Sequence, residues 1–424
     1  MSRLPPLLVV GLVVIAGFAP AVTATSTIDA PTAASSDPVV DDRQTVAVDA
    51  TDDADRTKPP NNTTTRLQLD GPQTGNYSTV TLDFGGSMAM SAEDVENQYY
   101  VSLVTVQLDR VSGRAARTAV VEAYLDAAVE ELNDISRMEA AATERYRQGE
   151  ISAETFLVRL ATAHVRASAM EESLERVERA AEPLPQATVV RILDLQMELG
   201  AHQSRIREHV ANTATGELES QPNTIYVTAS ANGAILEMIE NGRYYRNANR
   251  FDKREPTGVD QFKGDFGKVQ DRLDDIYPWA FKPDSINIID SYPAQNVYLT
   301  TFGHPQGSIN AYMDGSTTDV YREEQTLVLD RLPADETITK TTNNTTVRVH
   351  RTSANGPFLV NVTRTVPDGE GNTTVEAADA LVKIDGSVVG RTGSDGERWM
   401  LAPVGDYRIT VVRGETTINV SVPS

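Results

Sequence analysis

Between residues 91 and 212, apolar side chains return every three or four positions through three stretches of similar length. That period is the α-helical one, and it obliges each stretch to cover one face with a neighbour. The first run is Val121, Leu125, Ala128, Leu132 and Ile135. The second is Phe156, Leu160, Ala163, Ala167, Met170, Leu174, Val177 and Ala181. The third is Ile192, Leu195, Leu199, His202, Ile206 and His209. Gln148-Gly149-Glu150 separates the first two, with Ser152 as a fresh cap, and Pro183 and Pro185 separate the last two. Helices over 114–148, 152–181 and 186–212 would each be about 40–50 Å long, at ~1.5 Å per residue. Short turns between helices of equal length predict an antiparallel bundle; an intermolecular coiled coil is the alternative. Ser91 starts an earlier helix over 92–111, which Gly113 ends or kinks.

Beyond the bundle region, 91–215, the pattern changes. Residues 221–335 read as an α+β domain: strands at 224–229, 286–289, 297–302, 309–313 and 320–329, and helices at 233–242 and 259–276. Asp314-Gly315 is a hairpin turn between the last two strands. Residues 336–424 are all β, with clear alternation over 345–350 and 358–364. Ahead of the bundle, 67–90 is a short β and linker segment with a strand at 80–84. The fold class is multidomain α+β: an antiparallel helical bundle, an α+β domain with a mainly antiparallel sheet, then a carboxyl-terminal β-sandwich.

The ends of the chain bear on compartment. Arg3 precedes an apolar run from Leu7 to Ala19, and Val22-Thr23-Ala24 offers small residues for cleavage. Residues 1–24 therefore read as a secretory signal peptide, with an uncleaved anchor as the alternative. Residues 25–66, rich in Thr, Asp, Ala and Pro, read as a disordered tether. Asn-x-Ser/Thr acceptors at Asn61, Asn62, Asn76, Asn343, Asn344, Asn361, Asn372 and Asn419 fit an exported chain and avoid the helical part. The expected location is extracellular, at the cell surface.

Charge narrows the partners. Lys+Arg is 38 and Asp+Glu is 60, for a net charge of −22. Only 7 of the 38 cations are Lys. In ~1 M salt the Debye length is about 3 Å, so such self-repulsion is tolerable there and costly in dilute buffer. The balance resembles that of haloarchaeal proteins, and it opposes nucleic-acid binding. No Cys is present, which removes disulfides, thiol nucleophiles and thiolate metal sites.

One segment carries a family pattern. Asp385-Gly386, Thr392, Gly396, Pro403, Gly405 and Tyr407 fall where the carboxypeptidase-regulatory-like (transthyretin-like) module has its turns and strand entry. Residues 378–424 resemble that module, which implies a small, non-catalytic β-sandwich used as a spacer, stabiliser or adhesion unit. The whole layout resembles that of secreted or surface proteins of haloarchaea.

Chemistry-bearing motifs are sparse. There is no His-Glu-x-x-His, no Gly-x-Ser-x-Gly elbow and no phosphate loop. His202 and His209, seven apart, could clamp a metal between helices, or simply border the apolar stripe. Asp271, Asp274 and Asp275, just before Tyr277-Pro-Trp279, read as a solvated acidic face; a cation site or a glycan-reading edge beside an aromatic is the alternative. No catalytic residue, cofactor or metal is expected. The oddest feature is the basic and aromatic run Arg243, Tyr244, Tyr245, Arg246, Arg250, Lys253 and Arg254. Arg and Tyr are favoured at recognition surfaces, so it is the candidate binding patch; the alternative is internal neutralisation of nearby carboxylates. The expectation is a non-enzymatic surface protein that is structural, adhesive or interacting, with other surface proteins or glycans as partners. Membrane contact is expected only through a retained amino-terminal anchor. A ligand- or glycan-binding receptor is the second reading, and a secreted hydrolase built around His304 the third.

Overall fold

The computed structural model describes residues 44–46, 63–217, 223–281, 287–294, 296–353, 355–368 and 372–423. The segment read as a signal peptide, most of the one read as a tether, and Asn61 and Asn62 lie outside the described residues. From residue 43 onward the chain is one compact unit. In chain order it runs β1 (Gln44–Val46), β2 (Gln73–Thr79), α1 (Phe84–Arg110), α2 (Arg114–Arg147), α3 (Ala153–Ala181), α4 (Gln186–Gly200) and α5 (Arg205–Thr215). Then come β3 (Thr224–Ser230), β4 (Gly233–Glu240), β5 (Arg243–Arg250), α6 (Phe266–Ile276), β6 (Asn287–Ala294), β7 (Val297–His304), β8 (Gly307–Asp314) and β9 (Val320–Val328). The chain finishes with β10 (Glu336–Thr342), β11 (Thr345–Arg351), β12 (Phe358–Pro367), β13 (Thr373–Ala377), β14 (Leu381–Ile384), β15 (Ser387–Arg391), β16 (Glu397–Met400), β17 (Tyr407–Arg413) and β18 (Thr416–Val422).

Helices form where the apolar period demands them, and α3 is the central one, touching α1, α2, α4 and α5. Its buried face is Phe156, Leu160, Ala163, Ala167, Met170, Leu174, Val177 and Ala181, the run expected. Two boundaries differ. The first helix begins at Phe84, because Asp83 caps it by accepting from the Gly86 amide at 3.0 Å. Gly85-Gly86 lies inside the helix; a Cβ on Gly86 would meet Val158 at 2.8 Å, so this glycine lets α1 lie close to α3. The expected third helix is two, α4 and α5. Ser204 caps α5 by accepting from the Arg207 amide at 3.3 Å, and His202 sits in the turn between them.

Nine strands form one antiparallel sheet in the order β1-β2-β3-β4-β5-β9-β8-β7-β6. One face packs on the bundle: Ile225, Val227, Ala229, Ala234, Leu236 and Met238 share a core with Phe156, Leu157 and Val210. The other face is covered by α6, by residues 63–70 and by the terminal domain. The helix expected over 233–242 is instead strand β4. Both its faces are buried, so period-2 alternation is erased, and the apolar density mimicked a helix. Its stop signal is Asn241-Gly242, both at positive φ (51° and 72°), a two-residue turn into β5. The helix expected over 259–276 shrinks to α6, because Lys263 and Gly264 take positive φ and Asp265 is the residue that caps it. The strand expected at 80–84 lies earlier, at β2. Asp314-Gly315 opens a longer turn in which the buried Asp314 carboxylate accepts from the Ser316 and Thr317 amides at 2.8 and 2.9 Å.

The terminal region is a two-sheet sandwich. One sheet is β10-β11-β12-β13 with β16 on β12, and the other is β15-β14-β17-β18. Val347, Val349, Val360 and Val362 of the first sheet meet Val382, Ile384, Ile409, Val411 and Val420 of the second. Residues 378–424 are therefore not a module by themselves: β16 leaves its neighbours in sequence and pairs across with β12. Leu401, Trp399 and Val404 carry the sandwich onto the nine-stranded sheet beside Tyr226 and Tyr244. The Val404 amide donates to Tyr226 Oη at 2.9 Å, and Tyr77 Oη donates to the Leu401 carbonyl at 2.5 Å.

Candidate interaction surface

The basic and aromatic run does not form a surface patch. Its residues 243–250 are β5, in the middle of the large sheet between β4 and β9, and Lys253 and Arg254 lie in the turn that follows. Alternation puts Tyr244, Arg246 and Arg250 on the face away from the bundle, where they are 0%, 3% and 3% exposed. A buried guanidinium needs a charged partner, and the register supplies one. Arg246 sits on Glu323 of β9 at 2.9 Å and donates to the Leu67 carbonyl. Glu323 also accepts from Tyr277 Oη at 2.7 Å, from the Leu67 amide at 3.0 Å and from Gln325 at 3.0 Å. Tyr244 donates its hydroxyl to Glu237, and Arg66 lies over its ring at 5.5 Å. Burial pushes the Glu237 carboxyl up and the Tyr244 and Tyr277 phenols well up. Arg250 donates to the Gln68 carbonyl and pairs with Asp252 and Asp70. Arg254 reaches Asp314 and Glu198, and Lys253 approaches Asp319 at 3.8 Å. Tyr245 turns toward the bundle core, leaving Arg243 exposed. The run is thus a clamp on residues 63–70, of which 63–66 read from composition as the end of the tether and 67–70 as the start of the short β and linker segment. Thr63, Thr64 and Arg66 are buried, and Arg66 bridges to Ser353 Oγ at 3.0 Å in the terminal domain.

The histidines are likewise separated. His202 faces Glu139 of α2 at 3.0 Å, while His209 faces Glu240 of β4 at 3.2 Å. Burial works against the Glu139 charge, but Arg207 and His202 overcome it and hold that carboxyl well below the usual range. Among the described residues, no three potential metal ligands converge. His304 Nδ1 accepts from the Gln306 amide at 3.3 Å, and its ring meets Trp279 edge-on. Its Nε2 has no hydrogen-bond partner among the described residues, and burial lowers its pKa to about 4. Asp271, Asp274 and Asp275 are exposed on α6, but the neighbouring Tyr277 is buried beneath them. Of the sequons, Asn343, Asn344, Asn372 and Asn419 are exposed, whereas Asn76 and Asn361 lie half-buried inside strands.

What is exposed and apolar is α1. Phe84, Met88, Val95, Tyr99, Leu103 and Val106 stand in solvent, at 76%, 62%, 65%, 64%, 41% and 44%. The opposite side of the same helix buries Met90, Val101, Val104 and Leu108. Arg110 is the helix's single cation and has no ion-pair partner among the described residues. Sequence reasoning passed over this surface because it sought one apolar face per helix. The signal was present as a second seven-residue recurrence, Met88 to Val95 and Tyr99 to Val106.

Residues 1–219 match the model of a family described as a domain of unknown function, DUF7096. The chain belongs to that family. Residues 225–333 match a second family of unknown function, DUF7094, and residues 336–420 match an archaeal fibronectin-III type-like domain. The fibronectin-III-like match replaces the carboxypeptidase-regulatory-like resemblance: both are β-sandwiches, but the matched domain takes in both sheets, as the crossing of β16 requires. No curated protein and no solved structure matches. The three matched ranges share cores, since β2 from the first pairs with β3 from the second.

Proposed function

We propose that this chain is a non-catalytic interaction protein of a haloarchaeal cell surface, exported and glycosylated on its terminal sandwich. Support comes from the archaeal fibronectin-III-like domain, the −22 charge, the signal-like first 24 residues and the exposed sequons. The observation that carries the reading is the apolar stripe on the solvent side of α1. Six large apolar side chains exposed along one helix of an acidic protein are a docking face, because soluble monomers rarely show contiguous apolar patches above about 300–600 Å². No helix among the described residues is long and apolar enough to cross a membrane.

The receptor reading called for a pocket beside Arg243–Arg254. The cavity found between bundle and sheet, lined by Glu139, Arg207, Asn247 and Phe251, holds about 10 Å³, room for one water. The hydrolase reading called for a Ser or Asp against His304, and among the described residues neither partners it. Proximity labelling on living cells tests the favoured reading. Surface neighbours should be labelled by the full chain and lost with Tyr99→Glu. Labelling confined to cytosolic proteins, or unchanged by the substitution, would sink it.

A further inference from the structure

Resting on that reading, we infer that the α1 face is occupied by a second copy of this chain, packed antiparallel. At ~100° per residue, Phe84, Met88, Val95, Tyr99 and Val106 fall within an arc of about 60° over about 33 Å. The helix cannot turn to hide them, because its other side is already committed to α3. A narrow stripe with seven-residue recurrence is the seam of a two-helix coiled coil, so the surface it fits is another such helix. The six exposed side chains present roughly 700 Å² per copy. Burying all of it on both copies, the upper bound, gives about 1,400 Å², toward the lower end of the range of about 1,200–2,000 Å² for stable interfaces.

Charge selects the order. Laid parallel, the two copies would set Glu96 beside Glu96 and Arg110 beside Arg110. Laid antiparallel with Val95 of each copy against Tyr99 of the other, Met88 meets Val106. Each Arg110 then reaches the Phe84 ring and the Asp83 carboxylate of the other copy, and so gains the partner it lacks. Molar salt screens the repulsion between the two acidic bodies.

The test is sedimentation of the full chain in molar salt over a wide range of protein concentration. The expected result is a concentration-dependent dimer. Val95→Glu combined with Tyr99→Glu should raise its dissociation constant at least about a hundredfold, and the milder Tyr99→Ser should weaken it while leaving the unfolding midpoint unchanged at protein concentrations where the parent chain is monomeric. Because the chain has no Cys, single-thiol variants report order. Val95→Cys should cross-link with itself, and Met88→Cys with Val106→Cys. Val106→Cys should not self-link, since its two copies would stand about 27 Å apart, 18 residues at ~1.5 Å each. Self-linking at Val106 overturns the antiparallel order. A monomer at every concentration overturns the inference, whether residues 47–62 or another protein covers the stripe. If that monomer still loses surface labelling with Tyr99→Glu, the interaction reading survives; if labelling persists, both fall.

Discussion

Strand β5 and helix α1 invert each other. β5 carries three arginines within eight residues and buries two of them, Arg246 and Arg250; α1 carries six large apolar side chains on one side and leaves them in water. Composition by itself points each of them the wrong way. What decides is whether the fold supplies partners in register. Glu237, Glu323 and the carbonyls of residues 67 and 68 stand opposite the β5 arginines, so charge is matched inside. Nothing within the described chain stands opposite the outer side of α1.

The comparison breaks most severely if the clamp is not energetic. Arg246→Met leaves Glu323 buried without its cation, and should cost about 3–5 kcal/mol in denaturant unfolding in molar salt. Arg246→Met with Glu323→Gln should recover part of that loss, because the charge at 323 is gone while the Gln oxygen can still accept from Tyr277. A single variant as stable as the parent would mean that β5 is open to water.

Acid tests the buried interior from another side. Burial, aided by Arg207, lowers the His164 pKa to about 4, and burial alone does so for His304. In the unfolded chain both titrate near 6.5. The folded state therefore refuses protons that the unfolded state accepts. Stability should fall as pH drops from 6.5 toward 4, by at most about 1.4 kcal/mol per pH unit for each group. The slope of unfolding free energy against pH should flatten in His304→Gln. The depressed Glu139 contributes in the same direction, its stabilisation being lost as pH falls below the ordinary Glu value.

Smaller effects sharpen the contrast. Tyr277→Phe removes one donor from Glu323 while Arg246, Gln325 and the Leu67 amide remain, and should cost about 1 kcal/mol by thermal unfolding. Tyr99→Ser on α1 should change the unfolding free energy of the isolated chain by less than about 0.5 kcal/mol. A loss comparable to that of Arg246→Met would place Tyr99 in a core and end the inversion.

The helices were legible because Phe156 to Ala181 keep one period with nothing to interrupt it. The sandwich was legible because Val347, Val349, Val360 and Val362 alternate. Strand β4 was not, since burial on both faces removes alternation, and the Asn241-Gly242 turn was the cue passed over. The binding patch failed for a related reason. Arg246 reads as surface until Glu323, 77 residues later, is known to lie beside it, and no local pattern encodes that pairing. The buried role of Thr63 and Arg66 was hidden by composition: small polar residues suit a loose segment and a tightly held one equally well.

The held segment has a mechanical meaning. Residues 63–70 enter across the middle of the large sheet, gripped by Gln325, Arg246 and Arg250 on one side and joined through Arg66 to the terminal sandwich. A pull on the amino-terminal side of Thr63 is therefore delivered to this grip, where several bonds must slide and fail together. The load reaches sheet and sandwich at once and bypasses the helices, so α1 can present its outer side while the chain bears force.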